Sequence, residues 1–309
     1  MIVNRKWAAI VWLGFGLAAP ALSQSYAPPR DVYGYPDMQG TWISRWITPL
    51  ERQPGVTSLA LSEQEARELE ASEWARHNAI DPIEGTDGFE FSNLVIVRGE
   101  RRSSLIVDPP NGRLPYLQES ARVGARAPTG VDGPEQRALN ERCLSGGNGF
   151  APNLTAPSGN IRQIVQAKSE VAIWTELLSQ LRIIPVDGRT VSGARHEMMS
   201  GRWEGDSLIV ETWGIVERSR GARGSLFAVT PKTRITERFT PTGADEIAYA
   251  FRVEDPSIYS MAWTAETVMK RSSDRMFEYA CHEGNYGLAN ILSGARMMEQ
   301  RTTAKAAKN

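Results

Sequence analysis

The second half of the chain is written as short alternating runs separated by turn residues, and this pattern constrains the fold more than any other feature. In "EIAYAFRVED", Ile247, Tyr249, Phe251 and Val253 share one face of an extended strand, while Ala248, Ala250 and Arg252 take the other. The runs "RQIVQA", "EVAIWTELL", "QLRIIPVDG", "TRITERF", "WTAETVMKR" and "RMFEYACH" repeat the theme, and "GRWEGDSLIVETW" folds back at a tight Gly205–Asp206 turn. Turns every ten or so residues predict a mainly β protein, an antiparallel meander that forms a barrel or a strongly curved sheet.

What precedes the meander is different in kind. Residues 24–60 are rich in proline, glycine and aromatics and read as an extended arm with a short strand around Gly40–Trp46. "LSEQEARELEASEWARHNA" predicts a helix opened by a capping box, in which Ser62 and Glu65 satisfy each other's backbone N–H. Its apolar face is thin, so it belongs on the surface. "SLIVDPPNGRLPYL" is two apolar runs around a turn that Pro and Asn-Gly make cheaply, and residues 119–160 read as irregular. The chain closes with a second helix whose Leu288, Ile291, Leu292, Ala295 and Met298 form one stripe suited to docking on a sheet, with Asn285 as N-cap. No linker divides residues 61–300, which are expected to form a single β-rich domain.

The first residues address the chain rather than build it. "NRK", an apolar run of about a dozen residues and the small residues Ala21 and Ser23 predict a signal peptide over 1–23, cleaved before Gln24, with no transmembrane anchor remaining. Export to the periplasm or beyond is the expectation. Loss of Arg5 and Lys6 leaves 33 basic against 36 acidic side chains, a balance that argues against nucleic acid as a partner. The two cysteines, Cys143 and Cys281, are expected to pair in an oxidising compartment. A bridge closing that loop would stabilise the fold by up to about 4–5 kcal/mol. The alternative is a reactive thiol.

Several engines of catalysis are missing from the sequence. There is no G-x-S-x-G, no G-x-x-x-x-G-K-[ST] and no strand-borne G-x-G-x-x-G. "HEMMS" begins like a zinc protease motif but has Ser200 where the second histidine belongs, and three histidines leave little for a His-rich zinc site. Neither a metal nor an organic cofactor is expected. Three polar clusters remain. His282 and Glu283, with Asn285 and Tyr286, sit between the run "MFEYACH" and the last helix, where free N–H groups favour an anion and an imidazole can move a proton. His196, Arg202 and Trp203 belong to "RHEMMSGRWEGD", whose Gly205–Asp206 is turn chemistry. The arginines of "RGERRSS" suit either an anion or a solvated face.

The segments "RRSSLIVDPPNGRLP", "NERC", "RIIPVDGR", "GRWEGDSLIVET", "ERFT", "VEDP" and "YACHEGNYGLANILSGAR" resemble a large family of exported, mostly uncharacterised bacterial proteins. The resemblance covers most of residues 36 to 296 and implies no metal, cofactor or named catalytic residue. It makes His282 and Glu283 safer candidates than His196. The leading expectation is a periplasmic enzyme doing cofactor-independent acid–base chemistry, of lyase, isomerase or hydrolase type, on a small apolar or aromatic molecule. His282 would move the proton, Glu283 or Glu278 would assist it, and Arg202, Trp203, Asn285 and Tyr286 would hold the substrate. The rival expectation is a non-catalytic carrier of a hydrophobic small molecule, or an envelope interaction module.

Overall fold

The computed structural model describes residues 26–80, 92–118, 130–137, 142–143, 151–155, 159–193, 197–215, 227–279, 281 and 286–306, with the side chains of 77–80 and 306 left aside. The elements in chain order are β1 (Gly40–Ile43), α1 (Glu63–Ile80), β2 (Ile96–Val97), β3 (Glu100–Arg101), β4 (Ile106–Asp108), β5 (Ile161–Gln166), β6 (Glu170–Thr175), β7 (Gln180–Pro185), β8 (Val191–Ser192), β9 (Met198–Glu204), β10 (Ser207–Trp213), β11 (Arg234–Gly243), β12 (Glu246–Glu254), β13 (Trp263–Arg271) and α2 (Gly287–Ala306).

The alternating runs form an antiparallel sheet in the order β7-β6-β5-β1-β13-β12-β11-β10-β9-β8, with β4 added beside β13. The two ends of this path meet. A Cβ on Gly201 of β9 would lie 2.7 Å from Ile184 Cγ2 and 2.9 Å from the Pro185 carbonyl of β7, so only a bare Cα lets the walls approach. The result is a nearly closed barrel, as the meander predicts. The strand nearest the N-terminus sits in its middle: Thr41 pairs with Gln163 of β5, and Trp42 with Arg271 of β13.

The inward face of the barrel is the core. Trp42, Ile164, Ile173, Phe239, Ile247, Tyr249, Phe251, Val253, Trp263 and Ala265 are each at most 1 % exposed. At one end the arm closes the barrel: Gln166 Oε1 accepts the Met38 N–H, its Nε2 donates to Asp31 and to the Pro36 carbonyl, and Tyr35 stacks on Trp203 at 5.1 Å. Toward the other end Phe227 and Tyr259 pack on Trp263, and buried Asp255 gathers the hydroxyls of Thr230, Thr233 and Ser257.

Residues 46–118 make a second layer against the outside of β13. Trp46 Nε1 donates to the Val268 carbonyl, and Leu105 and Ile106 donate to the carbonyls of Pro49 and Leu50. Helix α1 seats Ala66 and Leu69 against Ile47 and Leu94. Its capping box is formed, with Glu65 Oε2 2.8 Å from the Ser62 N–H and Ser62 Oγ 3.4 Å from the Glu65 N–H.

Two expectations change. The described part of "RMFEYACH", residues 275–279 and 281, is not a strand: residues 272–279 run without sheet pairing, Phe277 is 70 % exposed, and its N–H goes to Glu176 Oε1 instead. "SLIVDPPNGRLPYL" does turn at Asn111–Gly112, yet its first run pairs with β13 and its second makes no strand. On α2, Leu288, Leu292 and Ala295 are half-buried while Ile291 and Met298 remain exposed.

Candidate functional site

His282, Glu283, Asn285 and His196 lie outside the described residues. The other expected contacts do not converge. Arg202 and Trp203 are neighbours on β9 and therefore face opposite sides of the sheet. Arg202 is on the outer surface, bonded to Glu204 and Glu211; Trp203 turns to the closed end, covered by Tyr35. Tyr286, just ahead of α2, is 72 % exposed. Cys143 and Cys281 are joined, with Cα atoms 5.6 Å apart, which removes the reactive thiol. The arginines of "RGERRSS" are spoken for: Arg98 pairs with Glu266, Arg101 with Glu70 and Arg102 with Glu100.

The barrel holds a charged cluster instead. Arg182 of β7 reaches across to Glu237 of β11 with two hydrogen bonds, one of them 3.0 Å, and Tyr249 Oη donates to the same carboxylate at 2.8 Å. The Asn153 N–H donates to Tyr249 Oη, and Arg162 donates to the carbonyls of Asn160 and Leu154. All are sealed from solvent. Burial lowers the Arg162 pKa to about 10, with Tyr249 and Glu237 pulling it back up. Burial also opposes the charge on Arg182, but Glu237 outweighs it and raises that pKa. The Tyr249 phenol is pushed well above its ordinary value by burial and by Glu237, so it stays a neutral donor. These shifts hold protons in place rather than poise them for transfer. The cluster is a fixed-charge brace across the barrel.

Among the described residues, concave surface lies outside, where the second layer meets the barrel. A cleft of about 360 Å³ is lined by Trp46, Gln53, Arg76, Arg113, Leu154 and Thr155, among others. On the far side of Trp46 a second hollow, about 530 Å³, carries Arg98 and Lys270, which are matched by Glu266 and Glu246. In the first cleft Arg76 is matched by Glu73, whereas no hydrogen bond or ion pair engages the Arg113 guanidinium among the described residues.

The local sequence explains how Arg113 is presented. Gly112 sits at φ +67°, and a Cβ there would meet Arg52 Cβ at 2.9 Å and Nε at 3.0 Å, so glycine answers both the turn and the close approach. The Arg52 N–H bonds the Gly112 carbonyl, and its guanidinium donates to the carbonyls of Thr57 and Pro110. Burial, and then the charge of Arg113, lower the Arg52 pKa. On either side of the Arg113 side chain the backbone is clamped: its own N–H donates to Asn111 Oδ1 and the Leu114 N–H donates to Glu51 Oε1.

Sequence reasoning missed both places. A glutamate at 237, on the face otherwise set by Ile235 and Phe239, was the available sign of the brace. For the cleft the sign was an arginine directly behind Asn-Gly. Among the described residues no group of three or more His, Cys, Asp or Glu side chains is placed to hold a metal ion, and no helix is long and apolar enough to cross a membrane. No protein-family model matches the chain, and no curated protein matches it at a significant level.

Proposed function

We propose that the protein binds a small, largely apolar or aromatic molecule in the cleft beside Trp46, as an exported β-barrel carrier or as the binding part of an enzyme. One contrast carries this reading. Inside the barrel Trp42, Phe239, Tyr249, Phe251 and Trp263 are at most 1 % exposed and fill the space themselves. The cleft of about 360 Å³ outside it has an indole wall and room for a guest. Gln53→Trp places a second indole in that cleft. Melting of the full chain against small aromatic compounds should find at least one that raises the wild-type midpoint by several degrees and leaves the variant unmoved. A compound that stabilises both equally, or a panel in which nothing stabilises the wild type, removes this reading.

Acid–base catalysis, with His282 moving the proton and Glu283 or Glu278 assisting, is the second reading. It is favoured by the bridge at Cys281, which ties the chain one residue ahead of the imidazole to Cys143. His282→Gln should leave the melting midpoint unchanged and abolish turnover; full activity in that variant ends the role. Residence in an oxidising compartment belongs to both readings, because such a bridge persists there. The mature chain isolated from the cell envelope should begin at Gln24.

A further inference from the structure

We infer that the ligand of this cleft carries a carboxylate, gripped by the Arg113 guanidinium while its aromatic or apolar body lies against Trp46. The inference rests on the cleft being the binding site, as proposed above, and adds the chemical class of the guest.

Most described arginines on the barrel surface are matched by an acid, and Arg113 is not. Arg98, Arg189, Arg202, Arg234, Arg238 and Arg271 each have a carboxylate within ion-pair distance. Arg113 lines a concavity and has none among the described residues. Its neighbour Arg52 donates its guanidinium to carbonyls, and its pKa is lowered by burial and then by the charge of Arg113, so the two positive charges feel each other. Like charges at close range are unfavourable, and an anion arriving at Arg113 in the cleft offsets that repulsion. The acids nearby are engaged. Glu51, which also lines the cleft, is turned to the Leu114 N–H, and Glu73 holds Arg76.

The geometry also suits a planar anion. The backbone of Arg113 is fixed by Asn111 before it and by Glu51 after it, and Gly112 is held against Arg52. A guanidinium on a fixed stem offers two parallel N–H groups to a carboxylate, the fork that a lysine cannot reproduce. Trp46 is fixed by its own bond to the Val268 carbonyl and presents its ring as a wall. A charged head and an apolar wall in one cleft select a molecule with the same two parts.

Isothermal titration of the full chain with 3-phenylpropionate and with its neutral amide tests this. The wild type should bind the carboxylate at least tenfold more tightly than the amide. Arg113→Ala should erase that preference and leave both compounds near the affinity of the amide. Arg113→Lys should retain part of it, several-fold below the wild type. Arg113→Gln, checked by an unchanged melting curve, repeats the measurement should alanine disturb the loop. A preference that survives in Arg113→Ala and Arg113→Gln overturns the inference. Equal binding of both compounds by the wild type, abolished by Gln53→Trp, leaves the cleft standing and overturns the carboxylate. Binding of neither compound overturns both.

Discussion

Arg182 and Arg202 are each held by glutamates on this barrel, one from within and the other on its skin. Arg182 is 2 % exposed and meets Glu237, which is fully buried, with Tyr249 closing the group. Arg202 is half exposed and shares Glu204 and Glu211 with Arg238 and Arg234. Strand β11 carries both kinds at once, Glu237 facing in and Arg234 and Arg238 facing out. In the interior, loss of one partner strands a charge that water cannot reach; on the skin, water replaces the partner at once. The same two residue types are therefore a structural commitment on one face and a solvated lattice on the other.

The largest effect should come from breaking the inner pair. Arg182→Ala should lower unfolding stability by about 3–5 kcal/mol, measured by urea denaturation, because Glu237 is left buried without its cation. Replacing both, Arg182→Leu with Glu237→Leu, should recover most of that loss; a double variant no better than the single one would mean the brace also sets the shape of the barrel. Asp255 is an intermediate case. Burial alone would raise its pKa, but hydrogen bonds from Ser257, Thr230 and Thr233 overcome burial and lower it. A carboxylate whose folded pKa is depressed contributes stability above the ordinary aspartate value, near 3.9, and loses it as pH falls through the folded value. Asp255→Asn should cost about 1–2 kcal/mol at neutral pH and flatten that acid limb in a pH series of urea midpoints. The smallest effect belongs to the skin: Arg202→Ala should cost under about 1 kcal/mol, and less in high salt. A cost as large as that of Arg182→Ala would erase the distinction between the two faces.

The fold was legible where periodicity and turn chemistry agree. The alternation around Tyr249 and the reciprocal cap of Ser62 and Glu65 lead directly to β12 and to the start of α1. Polarity misleads on β7. Its sequence "QLRIIP" suggests Leu181 and Ile183 inward, yet they are 52 % and 47 % exposed while Arg182 and Ile184 face the core. Arg182 faces inward onto a partner 55 residues away, Glu237, and local hydrophobicity does not carry that information. The bridge between Cys143 and Cys281 was predictable from count and compartment alone. The cleft was not. Residues 46, 76, 113 and 154 line it together, a juxtaposition created only when the second layer settles on β13.

The position of β1 has a consequence for how this chain reaches its shape. Residues 40–43 fill the gap between β5 and β13, so their hydrogen-bonding partners are made more than a hundred and more than two hundred residues later. During synthesis the first strand has both edges bare until β5 is made, and the edge that meets β13 stays bare until nearly the whole chain exists. A protein so arranged acquires its wall all at once and late, and anything that holds back its leading segment holds back the entire cylinder.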